Sequence, residues 1–275
     1  MHLLRIKIYQ PNAHYRLPFA YQRRHTYPLP PYSTVIGFLI NAMGIWDQRD
    51  SFYKEGIREL KISLAGKFDS KITEYIWFRN MSKKAHFGRF SYLENRENNG
   101  TVEHPGGQSP MRIDVLNDVH LLIYLGHEDI DVLKRIREEI SNPINRLEIL
   151  HLGRAEDWIV LEEEPKLIDD SQIAYERYGG NFKYFFWIPR KFYIRENESW
   201  CLISDDEFAN YDGLMYNLPT FSTIEGYEKN YNRHGKRTFE YVRTKLNDGL
   251  IIGQRLMIDK ELNLPFFLGD LNDRN

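Results

Sequence analysis

The chain has 275 residues, 42% of them hydrophobic, enough for one large domain or two small ones with a sizeable core. A single cysteine, Cys201, excludes an intrachain disulfide framework and a cysteine-built zinc site, and the nine histidines form no HExxH motif, so no metal or cofactor is expected. The net charge of −2 hides an asymmetry: residues 1–120 carry +6 and residues 121–275 carry −8, which points to a polyanion for the first half and against indiscriminate coating of nucleic acid.

No acidic residue precedes Asp47, so Arg5, Lys7, Arg16, Arg23 and Arg24 stand unopposed in the sequence. Aromatic residues make up 14% of the chain, a richness that suits both strands and base stacking. The longest apolar run, Val35 to Trp46, is interrupted by Asn41 and is too short to span a bilayer. With no signal-peptide features either, a cytoplasmic protein with no membrane partner is expected.

In chain order, residues 2–9 alternate, with Leu4, Ile6 and Ile8 on one face and Arg5, Lys7 and Tyr9 on the other, as in a half-buried strand. Pro28, Pro30 and Pro31 then forbid regular structure, and Ser33 offers an N-cap for a helix running to about Met43. That helix is apolar nearly all round and should be buried. Residues 61–68 and 71–79 read as two further strands, and residues 81–110 as a polar insertion. A long strand follows over 113–125. Asp129 then caps a helix with Ile130, Leu133, Ile136 and Ile140 on one stripe, stopped by Pro143. Residues 146–153 read as the next strand. The order strand, helix, strand, strand, helix, strand is that of an α+β, ferredoxin-like (RRM-like) domain over 1–165, with its insertion near 81–110. Residues 166–275 read as a smaller β-rich region, including runs at 182–188, 238–246 and 250–258. Asn247-Asp248-Gly249 signals a hairpin between the last two.

The segment Tyr21 to Thr34 interleaves Tyr21, Tyr27 and Tyr32 with Arg23, Arg24 and His25. Guanidinium groups pair with phosphates and aromatic faces stack on unpaired bases, while a helix N-terminus at Ser33 would favour an anion. The alternative is a proline-rich connection whose tyrosines cover the core. Residues 79–112 carry Arg79, Lys83, Lys84, His86, Arg89, Arg96 and Arg112 against Glu94, Glu97 and Glu103, a basic arm or else a polar loop. In LHLGRAED, Gly153 and Arg154 could receive and clamp a phosphate; an ordinary turn reads the same way.

The run YPLPPYSTVIGFLINAMG after a first strand, with MRIDVLNDVHLLIYLG (Met111 to Gly126) and LHLGRAED (Leu150 to Asp157), resembles the fifth family of CRISPR-associated proteins over residues 1–165. The resemblance implies a ferredoxin-like core with a β-hairpin thumb at 79–112. It further implies a non-catalytic subunit of a type I surveillance complex (Cascade), in the style of subtype I-B. Such a subunit caps the five-prime handle of the guide RNA (crRNA) and contacts the backbone subunit and the large subunit, in antiviral defence. The RNA-binding residues expected on these grounds are Tyr21, Arg23, Arg24, His25, Tyr27, Ser33, Arg79, Lys83, Lys84, His86, Arg89, Arg96, Arg112 and Arg154. Some relatives cleave precursor guide RNA without metal. Lys83, Lys84 and His86, helped by Tyr27 or Tyr75, are the candidate groups for that alternative, but no adjacent Lys-His pair stands in a clear strand. A generic interaction module is a third reading and leaves the acid-free N-terminal stretch unexplained.

Overall fold

A computed structural model describes residues 1–18, 23–80, 97–98, 101–102, 107–203, 205–224 and 237–272. The alternating N-terminal segment is β1 (His2–Ala13), followed by a two-residue strand β2 (Arg23–Arg24), helix α1 (Tyr32–Ala42) and a short helix α2 (Ser51–Glu55). Next come β3 (Lys61–Lys67), β4 (Ser70–Asn80), the short β5 (Glu97–Asn98) and β6 (Thr101–Val102), and a long β7 (Gly107–His127). Helix α3 (Ile130–Ser141) is followed by β8 (Val160–Leu161) and β9 (Lys166–Ile168).

Strands β9, β1, β7 and β3 lie side by side and antiparallel. Leu4, Ile6 and Ile8 of β1 pack into one core with Val35, Phe38 and Leu39 of α1 and with Leu133, Ile136 and Ile140 of α3. Helix α3 is amphipathic as expected, and Asp129 caps it by accepting from the Asp131 N–H at 2.9 Å. Helix α1 departs from the sequence reading at its start. Its N-cap is Pro31, with no side-chain cap, and Ser33 lies inside the first turn. Proline is tolerated there because the N–H it lacks would be unbonded anyway.

The rest of the chain forms β10 (Ile173–Asn181), β11 (Phe185–Pro189), β12 (Phe192–Glu196), β13 (Ser199–Leu202), β14 (Leu214–Ile224), β15 (Arg237–Asn247), β16 (Leu250–Asp259), β17 (Leu264–Phe266) and β18 (Leu268–Asp270). It continues the main sheet: β9 pairs with β1, and both β11 and β18 pair with β3. A thirteen-stranded sheet therefore crosses residue 165 without a break. A second core, built on Tyr124, Phe186, Phe192, Phe266 and Phe267, fills the face opposite the helices.

Three expectations need correction. Residues 146–153 are no strand, because they wrap the end of α1. Asn41 Oδ1 accepts from the Glu148 N–H, and Asn41 O accepts from the Leu147 N–H. The turn at Asn247-Asp248-Gly249 is tight, with Gly249 at φ 95° and its N–H on Asn247 Oδ1, but β15 and β16 do not pair. β15 joins β11 and β14, whereas β16 joins β10 and β17 in a separate sheet. Third, Arg5 is not a free cation. It is fully buried, bonded to Asp259 (2.8 Å) and to Glu163 (3.0 Å), with Glu261 at 3.2 Å, and Tyr124 Oη also donates to Asp259. Burial would depress its pKa, but the hydrogen bonds to Asp259 and Glu261 outweigh that and raise it, so it stays charged.

Candidate nucleic-acid interface

Strand β4 and the first half of β7 form a two-stranded arm in register from Ser70–Asn117 to Asn80–Gly107. β2 adds a short parallel edge, with Arg23 opposite Arg112 and Arg24 opposite Ile113. Residues opposite one another share a face and neighbours along a strand do not. One face of the arm therefore gathers Lys71, Thr73, Tyr75 and Trp77 from β4, Arg112 and Asp114 from β7, and Arg23 from β2. Arg24 belongs to the other face, so the adjacent arginines do not converge on one spot.

Asp114 organises the first face. It is 1% exposed, yet it accepts from His25 Nδ1 (2.8 Å) and Thr73 Oγ1 (2.9 Å), with Arg23 at 3.7 Å and Lys71 at 3.9 Å. Burial disfavours its charge, but His25, Thr73, Lys71 and Arg23 together hold its carboxyl below the usual carboxylate range. The outer ends of Arg23, His25 and Lys71 stay about half exposed. Beside them Tyr75 and Trp77 are 61% and 56% exposed, rings 6.2 Å apart in an edge-to-face contact. Large aromatics left in water on a face shared with Arg23, Lys71 and Arg112 make a stacking and phosphate-pairing surface.

The opposite side of the arm base is a braced loop. His14 is buried, its Nδ1 at 2.7 Å from Asp114 O, and desolvation lowers its pKa. Gly153 adopts φ 107°, where a Cβ would meet Asp157 Oδ2 and His14 O at 2.8 Å each. Arg154 forks onto Asp157 at 2.8 and 3.0 Å, with Glu74 and Glu156 at 3.5 Å. Its pKa is raised because Asp157 more than offsets the desolvation.

Several sequence-derived site residues are thus relocated. Arg23, His25 and Arg112 meet on the arm face. Arg154 is occupied as a clamp of its own loop rather than open to a phosphate. Tyr27 is a core residue, edge-on to Trp187 (6.2 Å) and Tyr216 (5.9 Å), so its face is already covered and no base can stack on it. Ser33 is not the helix cap, and the segment before it is pinned by Trp187 Nε1, which donates to Pro30 O at 3.0 Å. Arg79 lies on β4 opposite Gln108. Tyr21, Lys83, Lys84, His86, Arg89 and Arg96 lie outside the described residues. Lys71, Thr73, Trp77 and Asp114 were missed; the one signal for them was an acid, Asp114, inside the apolar run of β7. Among the described residues no three His, Cys, Asp or Glu side chains converge as metal ligands, and no helix is long and apolar enough to cross a membrane.

Comparison with solved structures gives the fold. A chain of a "CRISPR RNA-guided surveillance complex" superposes with a TM-score of 0.51 at 10% identity, covering 92% of this chain and 91% of that one. A "Cas protein" crystal structure gives 0.42 at 14% identity, covering 98% and 99%. A CRISPR protein from Archaeoglobus fulgidus gives 0.34 at 11%, covering 92% and 87%. No curated protein matches the chain. Residues 3–238 match the family described as CRISPR-associated protein (Cas_Cas5). The chain belongs to this CRISPR-associated protein family.

Proposed function

We propose that the chain holds RNA as a non-catalytic subunit of a type I CRISPR surveillance complex, capping the five-prime handle of the guide. The observation that carries this reading is the arm face, where Tyr75 and Trp77 lie open beside Arg23, Lys71 and Arg112. Guanidinium and ammonium groups there would pair with phosphates, and the rings would stack on unpaired bases. The fold likeness to a chain of an RNA-guided surveillance complex supports this reading. The antiparallel order β9-β1-β7-β3, with α1 and α3 on one face, supports a ferredoxin-like core with the β4–β7 arm as its thumb. In the assembled complex the chain would touch the backbone and large subunits.

A specific observation favours one second reading, metal-independent cleavage of precursor guide RNA. The half-exposed His25 ring is held through Nδ1 by buried Asp114, the carboxylate that Arg23 and Lys71 also approach within 4 Å. A base held by a carboxylate beside two cations is what a ribose 2′-hydroxyl attack requires. Incubating the purified chain with labelled precursor repeat RNA in EDTA separates the two. A retarded, intact band supports the binder; product that disappears in His25→Ala supports the nuclease.

A further inference from the structure

A second group of polar side chains lies away from the arm, on the sheet face opposite the helices. Alternation along β1 sends Ile6 and Ile8 into the helix-side core and leaves Lys7 and Tyr9 on the other face, opposite Leu122 and His120 of β7. The C-terminal core covers Leu3, Leu122 and Tyr124 of this face. At His120 a cleft of about 280 Å³ remains open between the sheet and the C-terminal strands. That is near the lower end of ligand pockets, roughly 300–1,000 Å³.

Leu122, Leu262 and Leu264 form the apolar walls of the cleft, and Lys7, His120, Glu162 and Tyr184 its polar ones. Glu162 Oε1 fixes the imidazole through His120 Nδ1, and among the described residues Oε2 of Glu162 has no hydrogen-bond partner. The Tyr9 ring stands 5.2 Å from His120, and Lys67 Nζ lies 5.6 Å over the Tyr184 ring. Outside the cleft lining, Glu163 is taken up by Arg5 at 3.0 Å and by Lys7 Nζ at 3.1 Å, which leaves Glu162 as the carboxylate of the cleft wall. The open Glu162 oxygen disfavours a phosphate beside it, whereas a flat uncharged ring fits between apolar walls and aromatic faces.

We propose that this cleft takes a guanine base. Guanine alone among the four bases presents two adjacent donors, N1–H and the 2-amino group, beside one acceptor, O6. A carboxylate accepts both donors, and an ammonium or phenol answers O6. Adenine and cytosine set a donor next to an acceptor on that edge, and uracil flanks its N–H with two carbonyls, so each would place a lone pair against Glu162.

A free guanine nucleotide and an unpaired guanine in RNA share this chemistry. Calorimetric titration of the full chain with GMP, IMP, AMP, CMP and UMP tests it, beside an oligo-U strand with and without one central guanine. GMP is expected to bind about ten-fold or more tighter than the others, with IMP weakened because it lacks the 2-amino donor. Glu162→Gln is expected to erase the preference, and the IMP comparison keeps the test sound should that variant fold poorly. A guanine preference in the oligomer alone assigns the base to RNA; one in GMP assigns it to a free nucleotide. Equal binding of GMP and CMP together with no gain from the guanine in oligo-U overturns the proposal, as does IMP binding as well as GMP. The RNA arm rests on the reading of the chain as an RNA holder, whereas the mononucleotide arm does not. Arg23→Ala with Lys71→Ala, which should weaken RNA gripping, is expected to leave GMP binding unchanged, so the two ideas fail separately.

Discussion

Replacing Asp114 with Asn isolates the role of the buried carboxylate at the arm base. The amide keeps the shape and can still accept from Thr73, but it loses the charge that faces His25, Arg23 and Lys71. A hydrogen bond to a charged group is worth about 1.5–3 kcal/mol, so one lost charge-assisted bond plus weakened ion pairing costs roughly 2–4 kcal/mol. The flanking cations are about half exposed, which keeps their share small. At about 2–4 °C per kcal/mol for a chain near this size, the melting temperature should fall by roughly 4–16 °C. Linkage sets the pH dependence. The folded-state carboxyl is held below its ordinary value, so its stabilisation is present above the unfolded value and is lost as pH falls through the folded one. Circular dichroism melts of both proteins from pH 7 downward should show the gap closing in acid. An unchanged melting temperature at pH 7, or a gap that widens as pH falls, would refute this account of Asp114.

Other substitutions test the neighbouring assignments. Arg23→Ala with Lys71→Ala should lower the salt slope of RNA binding by about 0.7 per lost phosphate contact, read by anisotropy at several salt concentrations, without shifting the melting temperature by more than a few degrees. Tyr27→Ala should cost about 3–5 kcal/mol in urea unfolding, as for loss of a buried aromatic, yet leave RNA affinity per folded molecule intact. Arg5→Met should destabilise by roughly 3–5 kcal/mol because it leaves Asp259 buried without its cation, and Arg5→Met with Asp259→Leu should recover part of that loss.

What the sequence made legible follows periodicity. β1 and α3 carry strong period-2 and period-3.6 apolar patterns and α1 a nearly continuous apolar run behind a proline-rich stop, and all three elements stand in those stretches. Residues 146–153 carry a strand-like composition, but tertiary hydrogen bonds from Asn41 claim their backbone, and no local pattern reports that. The acid-free N-terminal stretch looked like unopposed charge because its counter-ions are remote: Arg5 meets Asp259, 254 residues away. The same limit hid the arm face. Whether Arg23 stands beside Asp114, Lys71 and Tyr75 depends on strand register, which a hydrophobic pattern constrains only where one face is buried. Tyr27 shows the converse, since a tyrosine among arginines reads identically whether it stacks on a base or on Trp187.

The claim that the arm face grips the guide's five-prime end is tested most directly by equilibrium binding of a repeat-derived handle RNA and a scrambled strand of equal length, in EDTA, to the parent chain and to Tyr75→Ala with Trp77→Ala. The account expects the handle to bind clearly tighter than the scramble. It also expects the double substitution to weaken handle binding by about ten-fold or more, since base–aromatic stacking is worth about 1–3 kcal/mol per base. Equal affinity for the two RNAs, or a handle curve indifferent to the loss of both rings, would contradict it.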